Sequence, residues 1–179
     1  MSKTEGGAET NLITQWKQGE DDEVGYGKNR FLAQTFTLDD TYAIFRAIVK
    51  MRSIDIWEPH LCSIRGTDGA GAPLNVDIAS MGQDKISELE YRAAKWIPAT
   101  YRNFPLLPPG VYAIVLSSPR QSSWVNCHWR ANTELSAYPG GKAWLSHNAG
   151  EDWEEIPDTD FMFELWGYTP PPEPPPDPV

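Results

Sequence analysis

Histidine and cysteine meet twice in this chain, as His60-x-Cys62 and as Cys127-His128, and His147 is the remaining histidine. Imidazole and thiolate are the usual ligands of structural zinc, so these pairs are the first place to look for chemistry. Their spacing argues against a metal. In an extended strand His60 and Cys62 share a face, whereas the adjacent Cys127 and His128 point to opposite faces. The histidines also lack the helical His-Glu-x-x-His frame of a zinc hydrolase. No metal is expected. The two cysteines allow at most one bridge, and because each lies in an apolar run the preferred reading is two free, buried thiols acting as small hydrophobes.

Other catalytic patterns fare no better. No Gly-x-Ser-x-Gly elbow and no cysteine-nucleophile signature occurs. A glycosidase needs two carboxylates facing across a cleft, and Asp152, Glu154, Glu155, Asp158 and Asp160 supply carboxylates in number. They cluster around turn residues, which reads as a solvated acidic rim, with weak calcium binding through Asp158 and Asp160 as a minor alternative. The stretch Gly66-Thr67-Asp68-Gly69-Ala70-Gly71-Ala72-Pro73 has the glycines of a phosphate loop but not its closing Gly-Lys-Ser/Thr, and reads as a hairpin or Greek-key connection. The expectation is a protein with no catalytic residues and no cofactor.

Eight tryptophans remain as binding candidates. Trp96, Trp129, Trp144 and Trp166 fall within alternating runs and are expected in the core or packed on a sheet. Trp57, Trp124 and Trp153 sit at strand or loop edges, where an indole can stack on a sugar ring or a partner protein. Trp16, in a polar N-terminal stretch with Leu12 and Ile13, reads as an anchor inserting into a neighbour.

The elements that must hold these side chains are short strands. Phe31–Leu38 alternates in polarity, Tyr42–Arg52 carries Ile44, Ala47, Val49 and Met51 among polar positions, and Val111–Ser117 is a continuous apolar run entered from Pro108-Pro109-Gly110. Further strands are expected at Leu61–Arg65, Val76–Ser80, Trp96–Phe104, Trp124–Arg130, Ala143–His147, Trp153–Ile156 and Phe161–Tyr168, with a short helix over Ile86–Lys95. Eight to ten short strands broken by Pro, Gly and Asn turns predict an all-β sandwich of the jelly-roll kind.

Flanking the sandwich (29–168), residues 1–28 are hydrophilic and read as an extended arm. Residues 169–179, with Pro171 and Pro174 in a run of prolines, cannot join a sheet ladder and read as a polyproline spacer or peptide ligand. The 25 acidic and 15 basic residues leave a formal net charge of -10, which disfavours nucleic acid and anionic membranes as partners. No apolar run has the length of a membrane span, and the polar start is unlike a secretory signal, so synthesis and assembly in the cytoplasm are expected.

The ordered succession Ala33-Gln34-Thr35-Phe36-Thr37, Ser63-Ile64-Arg65-Gly66-Thr67-Asp68-Gly69, Pro109-Gly110-Val111-Tyr112-Ala113-Ile114-Val115-Leu116, Tyr138-Pro139-Gly140-Gly141-Lys142-Ala143-Trp144 and Asp160-Phe161-Met162-Phe163-Glu164 resembles a β-jelly-roll module of bacteriophage structural proteins and some microbial surface proteins. The resemblance spans residues 30 to 168 and brings no catalytic residues with it. It implies a non-enzymatic virion accessory protein, a capsid decoration or tail-associated part assembled in the host cytoplasm. Its arms would bind neighbouring capsid or tail subunits or further copies of itself, a trimer being one such assembly. The alternative is a carbohydrate- or receptor-binding module acting through Trp57, Trp124 or Trp153.

Overall fold

A computed structural model describes residues 10–53, 60–81, 93–118, 127–134 and 137–170. Its fourteen strands, in chain order, are β1 (Asn11–Trp16), β2 (Asp22–Tyr26), β3 (Phe31–Leu38), β4 (Tyr42–Ser53), β5 (Leu61–Thr67), β6 (Pro73–Ser80), β7 (Lys95–Thr100), β8 (Leu106–Leu107), β9 (Gly110–Ser117), β10 (Cys127–Asn132), β11 (Ala143–Ser146), β12 (Glu154–Ile156), β13 (Asp160–Phe161) and β14 (Phe163–Tyr168). They form two antiparallel sheets, and the described residues contain no helix. The all-β class and the two-sheet architecture stand as the alternation predicts.

The eight-stranded sheet is organised by β4, the longest strand. β14 pairs with Ala43–Val49 and β10 with Met51–Ser53 on one side of it, while β7 and β8 pair with the other. Outside β14 lies β1, and outside β10 lies β2. The six-stranded sheet runs β12-β11-β3-β9-β5-β6. The chain alternates between the sheets: β1 and β2 in the first, β3 in the second, β4 in the first, then β5 and β6, β7 and β8, β9, β10, β11 and β12, and finally β13 and β14.

Between the sheets, the inward residues of alternating strands make one core. Trp129 stacks on Phe161 with ring centroids 4.5 Å apart and donates its indole N–H to the Met162 carbonyl at 2.9 Å. Burying an aromatic with its polar atom satisfied is the arrangement that keeps a large indole from costing desolvation. Phe36, Phe163 and Tyr138 continue the aromatic layer.

The Tyr138-Pro139-Gly140-Gly141-Lys142 turn is stitched to β3. The Thr35 amide donates to the Lys142 carbonyl at 2.9 Å, and the Lys142 amide donates to Thr35 Oγ1 at 2.7 Å. A Cβ on Gly141 would stand 1.9 Å from the Thr35 carbonyl oxygen, so only glycine permits this approach.

Several expectations change. Residues 10–28, read as part of an arm, supply β1 and β2: Val24 and Tyr26 alternate beside β10, and Ile13 and Trp16 pack inward from β1, whose pairing with β14 shifts register between Leu12 and Thr14. The run Phe161–Tyr168 splits at Met162, whose amide bonds to the Arg130 carbonyl while its own carbonyl accepts from Lys50. The strand at Trp96 begins at Lys95 and stops at Thr100, and Phe104 has a left-handed backbone with φ 39°. Of the expected helix, residues 86–92 lie outside the described residues, and Lys95 opens β7. The glycine-rich loop is a hairpin joining β5 to β6, with Asp68 Oδ1 accepting from the Ala70 and Ala72 amides at 2.9 Å each.

Candidate functional site

The β11–β12 hairpin builds the pocket with the most promising chemistry. Its loop, residues 147–153, turns through two consecutive left-handed residues, Ala149 (φ 61°) and Gly150 (φ 86°). At Gly150 a Cβ would meet Arg65 Nη1 at 2.9 Å and Phe31 at 3.1 Å, so the loop packs tightly on β3 and β5. Asn148 and Ser146 tie the turn internally. Asn148 Oδ1 accepts from the Asp152 amide at 2.9 Å, Asn148 Nδ2 donates to Asp152 Oδ2 at 2.8 Å, and Ser146 Oγ accepts from the Gly150 amide at 2.8 Å. The Ala149 amide is anchored to the Asn29 carbonyl at 2.9 Å. A loop so fully bonded holds its side chains in place before a ligand arrives, which lowers the ordering cost of binding.

Beside this turn lies a pocket of about 220 Å³ lined by Leu145, His147, Asn148, Asp152, Trp153 and Glu154. His147 and Glu154 are bonded across the hairpin at 3.1 Å, both well exposed. An indole, an aliphatic side chain and several planar hydrogen-bonding groups converge on a volume suited to one small polar ring. Trp153, a sugar-stacking candidate on sequence grounds, is half-buried and lines this pocket.

The histidine and cysteine pairs occupy a different place. His60 is buried, with Nδ1 3.2 Å from Tyr26 Oη and Nε2 3.5 Å from Cys127 Sγ, while Cys62 Sγ lies 3.4 Å from Tyr101 Oη. Burial pushes the His60 imidazole down to about 4; burial, outweighing the hydrogen bond with Tyr101 and aided by the Asp77 charge, drives the Cys62 thiol up to about 12. A neutral imidazole between Tyr26 and Cys127, and a protonated Cys62 thiol against Tyr101, both closed off from solvent, make satisfied polar contacts and not a nucleophile. Among the described residues no group of three metal-ligating side chains gathers, and the two cysteines are not bridged by a disulfide. Asp160 is fully buried and its Oδ2 accepts the Ala137 and Tyr138 amides at 2.9 Å, so it staples a turn inside the fold and is not part of a solvated acidic rim.

The remaining candidates scatter. Trp16 is 8 % exposed and packs on Tyr138 at 5.9 Å in this chain's own core, where it completes the aromatic layer instead of standing free for a neighbour. Ile13 packs against the same core, and Leu12 is 39 % exposed at the outer row. Trp57, Trp124, Pro171 and Pro174 lie outside the described residues.

Trp129 is in the core and Trp144 packs on the outer face of the six-stranded sheet with Ala33, Ala113 and Val115. Trp96 and Trp166 are half-buried on the outer face of the other sheet, cross-strand partners of Lys50 and Arg46. Lys17 and Lys50 lie over the Trp96 ring and Arg46 over Trp166. Glu164 sits in the middle, where burial raises its carboxyl but contacts from Lys17 and the Trp166 indole outweigh that and hold it below its usual value.

One surface had no signal in residue type alone. Leu74, Val76 and Ile78 on β6 are 45, 71 and 40 % exposed at the end of the six-stranded sheet. The nearest hint in the sequence is their strict alternation without any flanking lysine.

A search against protein-family models finds no match to this chain, and a search of curated proteins finds none either.

Proposed function

We propose that this chain is a non-enzymatic accessory protein of a bacteriophage virion, a jelly-roll-like sandwich that binds neighbouring virion subunits or further copies of itself. The observation that carries the assembly role is β6. Among the described residues β6 is an eight-residue edge strand, and its three open aliphatic side chains make a surface that proteins ordinarily blunt with charge. Its only charged residue, Asp77, is neutralised by Arg65 at 2.7 Å. Two register shifts in the β5–β6 pairing bend the strand, so the contact it offers is mainly through side chains. The repeated crossing of the chain between sheets supports the jelly-roll reading, since that class of sandwich is wound by such connections. The virion setting rests on the motif resemblance.

The test is a Val76→Lys, Ile78→Lys double variant of the full chain, checked for an unchanged melting temperature and scored for occupancy on assembled particles. Loss of occupancy is expected, and full occupancy would sink the assembly reading of this edge. Deleting residues 1–28 is a poor probe, because it strips β1 and β2 from the sandwich.

A second reading, a carbohydrate-binding module on a virion or cell surface, is favoured by the Trp153 pocket. Weak saccharide binding that survives the β6 substitutions would establish it independently of assembly.

A further inference from the structure

We infer that the pocket at the β11–β12 hairpin selects a cationic amino-sugar ring over neutral or acidic sugars. The inference deepens the carbohydrate-binding reading and rests on it. Shape comes first: about 220 Å³ bounded by Trp153 and Leu145 accommodates one ring, not an extended chain lying in a cleft.

Charge then decides which ring. Two carboxylates, Asp152 and Glu154, line the pocket itself, and Glu151 and Glu155 flank them in sequence. Of the cations at this hairpin, Lys142 is bonded to Glu155 at 2.7 Å, a residue that does not line the pocket, and Arg65, packed against Gly150 of the turn, is bonded to Asp77 at 2.7 Å. His147 lines the pocket and is a cation only when protonated.

Each lining carboxylate has one oxygen engaged: Asp152 Oδ2 accepts from Asn148, and Glu154 Oε1 faces His147. Both side chains reach solvent, and the other oxygen of each is open to a ligand ammonium or hydroxyl. An ammonium group gains charge-assisted hydrogen bonds here and adds attraction to the indole face. A sugar carboxylate or sialic acid meets like charge and is rejected. The turn around Asn148 keeps the Asp152 carboxylate from swinging away to relieve either outcome.

The experiment titrates the full chain at neutral pH with a glucosamine disaccharide, with cellobiose and with a glucuronic-acid disaccharide, following heat or amide shifts. The glucosamine disaccharide is expected to bind about tenfold more tightly than cellobiose, with no binding of the acidic sugar. Asp152→Asn and Glu154→Gln, each with an unchanged melting temperature, should each reduce that preference, and a variant with Asp39→Asn and Asp40→Asn should not. Asp39 and Asp40 follow the opposite end of β3 from the Phe31 that pairs with Ser146, so they control for attraction to a protein of net charge -10.

Equal binding of amino and neutral sugars, unaltered by the two substitutions, would overturn the selection for a cation while leaving a sugar site. A preference abolished equally by the Asp39 and Asp40 substitutions would overturn it as unspecific attraction. Failure of every saccharide to bind would overturn the carbohydrate reading and this inference together.

Discussion

At one end of the six-stranded sheet, β12 is three residues long and carries Glu154 and Glu155; at the other, β6 runs for eight and leaves Leu74, Val76 and Ile78 in the open. A short edge with two carboxylates resists strand addition, because each added strand would desolvate charge. Freed from that use, its hairpin can be tied into a stiff turn that frames a small polar pocket. The long edge has the reverse composition, with its only acid matched by the Arg65 guanidinium, itself 7 % exposed. One sheet thus presents a ligand-sized recess at one margin and a partner-sized apolar margin at the other, on a common core.

The largest perturbation should remove both margins at once. Trp129→Ala empties the centre of the core and strips the stack on Phe161, at a cost of about 3–5 kcal/mol. Chemical denaturation should show one transition, with pocket and β6 lost together. Separate transitions for the two would break the view that they share a core.

Acid should act in the same common way, slightly less strongly. His60 has a folded value of about 4 against 6.5 when free, so between these the unfolded chain binds the proton and the folded one does not. Its contribution to stability is present in full above about pH 6.5 and is lost progressively as pH falls toward 4, by about 3 kcal/mol in total. Glu23, held low first by its hydrogen bond to Arg52, adds its loss only below its usual value near 4.5. His128, also held low by burial, adds its loss in the same window, so the His60 share is the part of the falling denaturation midpoint between pH 6.5 and 5 that a His60→Gln variant removes.

Arg65→Met acts mainly on the β6 margin, because its hydrogen bonds go to Asp77, Leu74 and Asn75 there while only a packing contact reaches Gly150 of the β11–β12 turn. It leaves Asp77 without its partner and removes the cation from over the Phe31 ring, for about 1–2 kcal/mol after allowing for the partial exposure of Asp77. Hydrogen exchange should quicken in β6 well before it does in β12. Smallest in stability is Val76→Lys, within about 0.5 kcal/mol because the side chain is 71 % exposed, yet it should weaken any self-association seen by sedimentation. A Val76→Lys chain that associates as before would mean that β6 is not the contact.

Much of the fold was legible along the chain. The strands at Phe31, Tyr42, Leu61, Gly110 and Ala143 lie where alternation and turn residues put them, because a period of two and a proline or glycine break are local properties. Residues 11–26 were harder to read, since their apolar positions are few and become strands only with β14 and β10 alongside. The pocket was half legible: Trp153 stood out as an indole at a strand edge, but Asn148, the hub of its turn, gave no signal by type.

From its sequence alone the chain determined an all-β class, the positions of most strands and an acidic balance. Tertiary structure decided which face of each strand is covered. Alternation divides a strand into two faces without saying which meets the second sheet, so Trp129 went inward while Trp96 and Trp166 went outward to meet cations. It likewise buried Asp160 under two amides and left β6 at a margin, because pairing partners distant in the chain, and not the residues themselves, settle what is enclosed and what ends a sheet.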